Sequence, residues 1–201
     1  PQERVFMYLV NNVGSILENE QQRGLAHFLE HMAFNGTTHY PNNTLVDYLQ
    51  KNGISFGADI NAYTSFNETV YQLQLPSNDS KLVNNGFQIL QDWAQGISLE
   101  HSEIDKERGV IMEEKRAGKS LNERIQDKTL PVALNHSLYA QRIPIGTEQV
   151  IQHFPYQEIE NFYKNWYRPN LQAVIVVGDI DVDQTEQLLK KQFSVLKNPN
   201  K

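Results

Sequence analysis

Residues 24–34 carry two sets of side chains at helical spacing, which makes this segment the strongest constraint on the fold. An apolar set recurs at i, i+3, i+4 and i+7 and comprises Leu25, Phe28, Leu29 and Met32. A second set with the same spacing comprises His27, Glu30, His31 and Phe34. At 100° per residue the two sets lie roughly 160° apart. We therefore predict a helix over residues 21–34 that buries its apolar face and presents the histidines on the opposite one.

The polar face of this helix has the chemistry of a metal site. Two histidines one turn apart lie one above the other and can both bind a single Zn²⁺. Glu30 lies between them, close enough to accept a proton from a water molecule but turned away from direct ligation. The order His-x-x-Glu-His is the inverzincin signature. The alternative is a solvated polar face, for which this combination is an unusual choice. A catalytic zinc also needs a third protein ligand.

The helix predicted over residues 102–117, with periodicity continuing past Gly118, offers candidates for that ligand. Its apolar stripe comprises Ile104, Ile111, Leu121 and Ile125. Glu107 and Glu114 fall in the same stripe, where a carboxylate is costly unless it is paired or bound to a cation. Glu113 points about 120° away, and we expect it to be solvated. Salt bridges would also explain the two buried carboxylates, but the histidine motif favours zinc ligation by one of them.

The remaining pattern mixes strands with helices. Strands are predicted at residues 5–16, 54–62, 65–75 and 171–177, and further helices at residues 45–51, 80–96, 155–166 and 182–196. Loops and short turns are expected over residues 130–147, where prolines and a glycine interrupt the pattern. The short gap between the second and third strands predicts an antiparallel hairpin. The fold class is therefore α+β, with an antiparallel-rich sheet packed against helices.

Composition excludes several functions. The net charge of −6 argues against nucleic acid as a partner. The chain has no cysteine, so any metal must use histidine and carboxylate ligands. No apolar run approaches the ~20 residues that cross a bilayer, so we expect no membrane segment in this chain. Because the chain starts without methionine and enters a strand at once, we interpret it as a piece of a longer protein.

Several motifs together resemble the pitrilysin-type zinc peptidases, a family that includes insulysin, the mitochondrial processing peptidase and bacterial zinc proteases. Residues 24–34, followed by Gly36 and Thr37, resemble the metal helix of that family. Residues 57–64 are similar to its Asn-Ala-x-Thr strand, and residues 107–114 to its distal glutamate helix. Residues 167–170 and 177–179 resemble the segment that leads into the next repeat.

The resemblance implies a zinc-dependent endopeptidase. Zinc would be bound by His27, His31 and Glu114, with Glu30 as the general base and Glu107 supporting the site. The separation of Glu107 from His31 matches the usual family spacing better than that of Glu114, but the local motif favours Glu114. The main alternative is a non-catalytic or partner-dependent homologue that binds zinc and needs a second domain or subunit for activity.

The resemblance also suggests how substrate and partner domains are arranged. Asn61 and Ala62 would lie on an edge strand to which an extended peptide substrate adds as another strand. Residues 1–170 would form the catalytic zinc-binding domain, and residues 171–201 its last strand and helix, leading toward a second, similar domain that closes as a clamshell.

The compartment is not fixed by the residues, and a bacterial cell envelope or periplasm is favoured over the cytoplasm. The other histidines (His39, His101, His136 and His153) are expected to be structural or surface residues.

Overall fold

The computed structural model describes residues 3–118 and 121–198, apart from the side chains of residues 121–124 and 127. The strands are β1 (Arg4–Asn11), β2 (Ile60–Thr64), β3 (Thr69–Pro76) and β4 (Gln172–Gly178). The α-helices are α1 (Leu25–Met32), α2 (Thr44–Lys51), α3 (Ser80–Gln95), α4 (His101–Ala117), α5 (Leu121–Ala133), α6 (Leu138–Gln141), α7 (Glu148–His153), α8 (Tyr156–Trp166) and α9 (Val182–Phe193). Short 3₁₀ turns occupy Ser15–Leu17, Glu20–Gln22 and Pro169–Leu171.

The four strands form one sheet in the order β2-β3-β1-β4, and every neighbouring pair is antiparallel. The register places Met7 of β1 opposite Leu73 of β3 and opposite Val176 of β4. β2 and β3 form the predicted hairpin, which leaves β2 at an edge of the sheet. The α+β class with an antiparallel sheet is confirmed.

The core lies between one face of this sheet and the helices. Val5, Met7 and Leu9 alternate along β1 and are fully buried, as a sheet with one covered face requires. All four apolar residues of the predicted stripe on α1 are also fully buried. Trp93 of α3 is buried in the same core, and its indole N–H donates to the carbonyl of Ala33 at 3.1 Å. This contact fixes the end of α1 against the core.

Two predicted elements extend further in the sequence than the observed ones. The strand predicted over residues 5–16 ends at Asn11, and the helix predicted from residue 21 begins at Leu25. In the first case the chain turns at Gly14, where a β-carbon would come within 2.5 Å of the backbone of Phe66. In the second, Gly24 has φ of 109°, a left-handed conformation that ends the preceding turn before the helix starts.

The apolar stripe predicted along residues 104–125 was wrong beyond Ile111. Ile104, Glu107 and Ile111 are buried, but the side chain of Glu114 is 49% exposed and Ile125 is 52% exposed. The seven-residue repeat fails because α4 ends at Ala117 and α5 is a separate helix. The side chain of Leu121 lies outside the described residues.

The loop predicted over residues 130–147 was also wrong in part. α5 continues through Pro131 to Ala133, and α6 follows at Leu138–Gln141. A proline within a helix removes one backbone donor and was expected to end the helix, but here two further residues follow it. Within residues 3–118 and 121–198, no helix combines the length and apolar character needed to cross a membrane.

Candidate metal centre

The start of α1 is held by a side chain from outside the helix. The carboxylate of Glu18 accepts hydrogen bonds from the backbone N–H groups of Gly24 at 2.9 Å and Ala26 at 2.8 Å. A carboxylate at a helix N-terminus satisfies free donors and is favoured by the helix dipole. Glu18 therefore anchors the turn that immediately precedes His27.

Three side chains, two from α1 and one from α4, converge between these helices. The Nε2 atoms of His27 and His31 are 3.2 Å apart. Glu114 of α4 brings Oε1 to 3.7 Å from Nε2 of His27 and Oε2 to 3.4 Å from Nε2 of His31. Within residues 3–118 and 121–198, these three form the cluster of potential metal-ligating groups, with donor atoms all within 4.8 Å of one another.

The donor set fits a zinc ion. Ligands at 2.0–2.1 Å in a tetrahedral shell stand about 3.3–3.4 Å apart, which is close to the three separations within this cluster. Two imidazoles and one carboxylate are a donor set of catalytic zinc sites, which keep a fourth position open. The chemistry and spacing of His27, His31 and Glu114 are therefore those of such a site.

Glu107 contacts His31 at the other ring nitrogen, Nδ1. Its Oε1 lies 2.7 Å from Nδ1 of His31, and Asn35 donates a side-chain N–H to its Oε2. A carboxylate on Nδ1 keeps the proton there and leaves Nε2 free to bind a metal. Glu107 is thus placed to orient His31, whereas Glu114 shares the Nε2 side. Glu113 is exposed and pairs with Arg116 at 2.6 Å, as expected for a solvated residue.

The pKa values of the two histidines diverge in the metal-free protein. Burial, together with the neighbouring charge of His31, lowers the pKa of His27 to about 4. Burial also opposes protonation of His31, but its hydrogen bonds to Glu107 and Glu114 outweigh that effect and raise its pKa to about 9. The hydrogen bond from His31 lowers the pKa of Glu114. At neutral pH the imidazole of His31 is therefore protonated and that of His27 is neutral.

Glu30 has a partner that sequence reasoning missed. The hydroxyl of Thr64, the last residue of β2, donates to Oε2 of Glu30 at 2.7 Å. Burial raises the pKa of Glu30, and the hydrogen bond from Thr64 opposes that rise. The sequence did contain an indication of this contact. Side chains alternate along a strand, so Thr64, two residues after Ala62, lies on the same face as Ala62.

An open groove of about 530 Å³ connects these groups with the edge of the sheet. Glu30, His31 and Glu107 line it from the helices, and Asn61 and Ala62 line it from β2. Both residues predicted for substrate binding therefore line the same groove as Glu30 and as His31 of the metal cluster. Phe34 and Phe56 add an aromatic wall, with ring centroids 5.3 Å apart.

The remaining histidines lie elsewhere. His39 pairs with the buried Asp92 at 2.7 Å, and His101 stacks on Tyr156 at 3.8 Å between ring centroids. Nδ1 of His153 lies 3.0 Å from the carbonyl of Gln149, and His136 follows α5 at φ of 51°.

Comparison with known proteins identifies relatives along most of the chain. Residues 1–143 match the model of the insulinase family, peptidase family M16, and residues 153–201 match that of the M16 inactive domain. The probable zinc protease PqqL of Haemophilus influenzae is 42% identical over 194 residues, covering 96% of this chain and 21% of that protein. A zinc protease PQQL-like protein of Arabidopsis thaliana is 38% identical over 194 residues, covering 96% of this chain and 20% of that protein. The chain thus spans about a fifth of the length of these curated relatives.

Solved structures give the same result. The first half of the periplasmic protease PqqL of Escherichia coli superposes with a TM-score of 0.95 at 36% identity, covering 100% of this chain and 43% of that one. A mutant of the ferredoxin protease FusC, bound to Arabidopsis ferredoxin, superposes with a TM-score of 0.91 at 30% identity, covering 100% of this chain and 22% of that one. From the family match over 143 residues and these relatives, the chain belongs to the insulinase family of peptidases, family M16.

Proposed function

We propose that this chain carries the zinc-binding half of the active site of a zinc-dependent endopeptidase. The observation that carries the proposal is the convergence of His27, His31 and Glu114 beside the carboxylate of Glu30. Those three residues would hold the ion. When bound, zinc supplies Lewis-acid chemistry that activates water and polarises a carbonyl group.

Glu30 acts as the general base in this proposal. Its carboxylate lies one residue before His31 and is mostly buried, which favours proton acceptance over an inert, solvated state. The hydroxyl of Thr64 donates to Oε2 at 2.7 Å and so fixes the orientation of this carboxylate. Glu107 orients His31 through Nδ1 and does not itself bind the ion.

The substrate in this proposal is a peptide or an unfolded segment in extended conformation. β2 lies at the edge of the sheet, and its residues Asn61 and Ala62 border the groove that leads to Glu30. An extended peptide can pair with such an edge through backbone hydrogen bonds, which recognise the main chain of many sequences. Asn61 and Ala62 are therefore the proposed substrate-binding residues.

A second candidate is a zinc-binding protein that needs a further domain or subunit for hydrolysis. Two apolar residues of the groove, Phe56 and Val110, are each 52% exposed, so one wall of the site is open. The relatives named as zinc proteases are about five times longer than this chain. We infer that a second, similar domain or subunit closes over the groove, and that the location is periplasmic, as the Escherichia coli relative is named.

Glu30→Gln tests the catalytic assignment in the full-length protein. The amide keeps the shape of the side chain but cannot accept the proton, so we expect peptide hydrolysis to be abolished while zinc content stays at the wild-type value. The measurements are hydrolysis of an internally quenched fluorescent peptide and metal analysis of the same samples. Retained hydrolysis would refute the role of Glu30.

Zinc stoichiometry of Glu114→Gln beside Glu107→Gln tests the ligand assignment. Both variants remove one negative charge from the same helix, so each is the matched control for the other. We expect Glu114→Gln to lose the metal, and Glu107→Gln to retain it with affinity weakened about 10- to 100-fold. Loss of metal from Glu107→Gln alone would reverse the two roles.

A further inference from the structure

The third donor of the metal cluster lies on a weakly held stretch of helix. Glu107 and Ile111 are the last buried residues of α4, and Glu114 is one turn beyond them. Of the described side chains at residues 112–117, Met112 packs on the core, and Glu113 and Arg116 pair with each other. The position of Glu114 relative to the histidines therefore depends on what ties this end of α4 to the rest of the protein.

Lys115 makes such a tie. Its Nζ donates to the backbone carbonyl of Gly146 at 2.8 Å, a contact that spans 31 residues of sequence and is partly buried. Because Lys115 is the neighbour of Glu114, this hydrogen bond acts directly on the turn that carries the carboxylate. A hydrogen bond from a charged donor is among the stronger polar contacts in a protein.

The acceptor of this bond is itself fixed to the start of α1. A β-carbon on Gly146 would lie 2.4 Å from the Cα of Gly24, so the two backbones are in direct contact. Gly24 precedes His27 by three residues and is also held by Glu18. The path from Lys115 through Gly146 to Gly24 therefore links the end of α4 to the beginning of the histidine helix.

We propose that Lys115 is a positioning residue that sets the distance between Glu114 and the two histidines, and so tunes the affinity for zinc. This inference rests on the proposed zinc site. Removing the tether frees the last turns of α4, and the carboxylate must then be ordered again when the metal binds. The effect of charge alone has the opposite sign, since removal of a cation beside the site favours binding of Zn²⁺.

The test compares zinc dissociation constants of Lys115→Met, Lys115→Arg and Arg116→Met in the intact protein. Methionine keeps most of the aliphatic stem of Lys115 but no donor, and we expect its dissociation constant to rise about tenfold. Lys115→Arg keeps a charged donor and should stay within about threefold of wild type. Arg116→Met removes the same charge one position along, without touching Gly146, and should bind zinc as tightly as wild type or more tightly.

A second measurement reports directly on the ligands around the metal. The visible absorption of the cobalt-substituted protein reports the number and type of ligands, and we expect Lys115→Met, but not Arg116→Met, to change it. Unchanged or tighter zinc binding by Lys115→Met would overturn the inference while leaving the proposed function intact. Equal weakening in Arg116→Met would also overturn it. If the wild-type protein did not bind zinc, the proposed function itself would fail.

Discussion

Zinc binding at pH 6 is expected to release about one proton from this protein, and the proton comes from His31. In the proposed site, both imidazoles must present an unprotonated Nε2 to the metal. In the metal-free protein the pKa of His31 is raised to about 9, whereas that of His27 is lowered to about 4. At pH 6 only His31 carries a proton that zinc must displace. Water on a catalytic zinc has a pKa near 7 and contributes little at this pH.

The size of the effect follows from the pKa of His31. Because the proton and the metal compete for the same atom, apparent zinc affinity falls as the pH drops below about 9. Each unit of pH corresponds to about 1.4 kcal/mol, a factor of ten. Between pH 9 and pH 6 the competition therefore costs about 4 kcal/mol, or roughly a thousandfold in apparent affinity.

Two measurements check this expectation. Calorimetric titration in buffers with different ionisation enthalpies counts the protons released, and competition with a chromophoric chelator gives the dissociation constant across the pH range. Glu107→Gln is the matched variant. It removes the charge that pairs with Nδ1 of His31, so its affinity should level off at a lower pH. Release of no proton at pH 6, or equal affinities at pH 6 and pH 8.5, would refute the reasoning.

Two further predictions concern the supports of α1. Thr64→Val removes the hydroxyl that donates to Glu30, a hydrogen bond to a charged group worth about 1.5–3 kcal/mol. The proposed hydrolysis should fall in kcat/KM by roughly 10- to 100-fold, with zinc retained, and Thr64→Ser should restore most of it; equal rates in both variants would exclude the role. Gly146→Ala should lower the free energy of unfolding in urea by at least about 2 kcal/mol, because a β-carbon would meet the backbone of Gly24 at φ of 70°. Gly53→Ala is its control: it shares a positive φ but has no atom within 4 Å, so it should cost only about 1 kcal/mol, and an equal cost would argue against the contact.

The helix that carries His27, Glu30 and His31 was predictable because its pattern is local. Helical periodicity alone placed four apolar residues on a buried face, and that placement is confirmed. Phe34, which was predicted on the opposite face, lies beyond the end of α1 and packs against Trp93 in the core. The hairpin of β2 and β3 was predictable for the same reason, since strand alternation and a short gap involve neighbours in sequence. Boundaries were less accurate, because Gly14 and Gly24 turn the chain at points fixed by contacts with distant backbone.

The choice between Glu107 and Glu114 could not be derived from periodicity. Both residues fall on the same side of one helix, and the sequence left either able to face the histidines. In the folded chain, the way α4 packs on α1 puts Glu107 at Nδ1 of His31 and Glu114 at Nε2. That difference depends on the distance and angle between two helices, which a repeat within one helix does not specify.

Sequence alone therefore determined which reactive groups are present: two histidines and a glutamate on one helix, acidic residues on a distant helix, and an α+β chain without cysteine. Only the tertiary structure decided which atoms meet. Thr64 reaches Glu30 across 34 residues of sequence, and Lys115 reaches Gly146 across 31. Such contacts arise because the sheet and helices share one close-packed core, so the position of each donor is set by the packing of the whole domain.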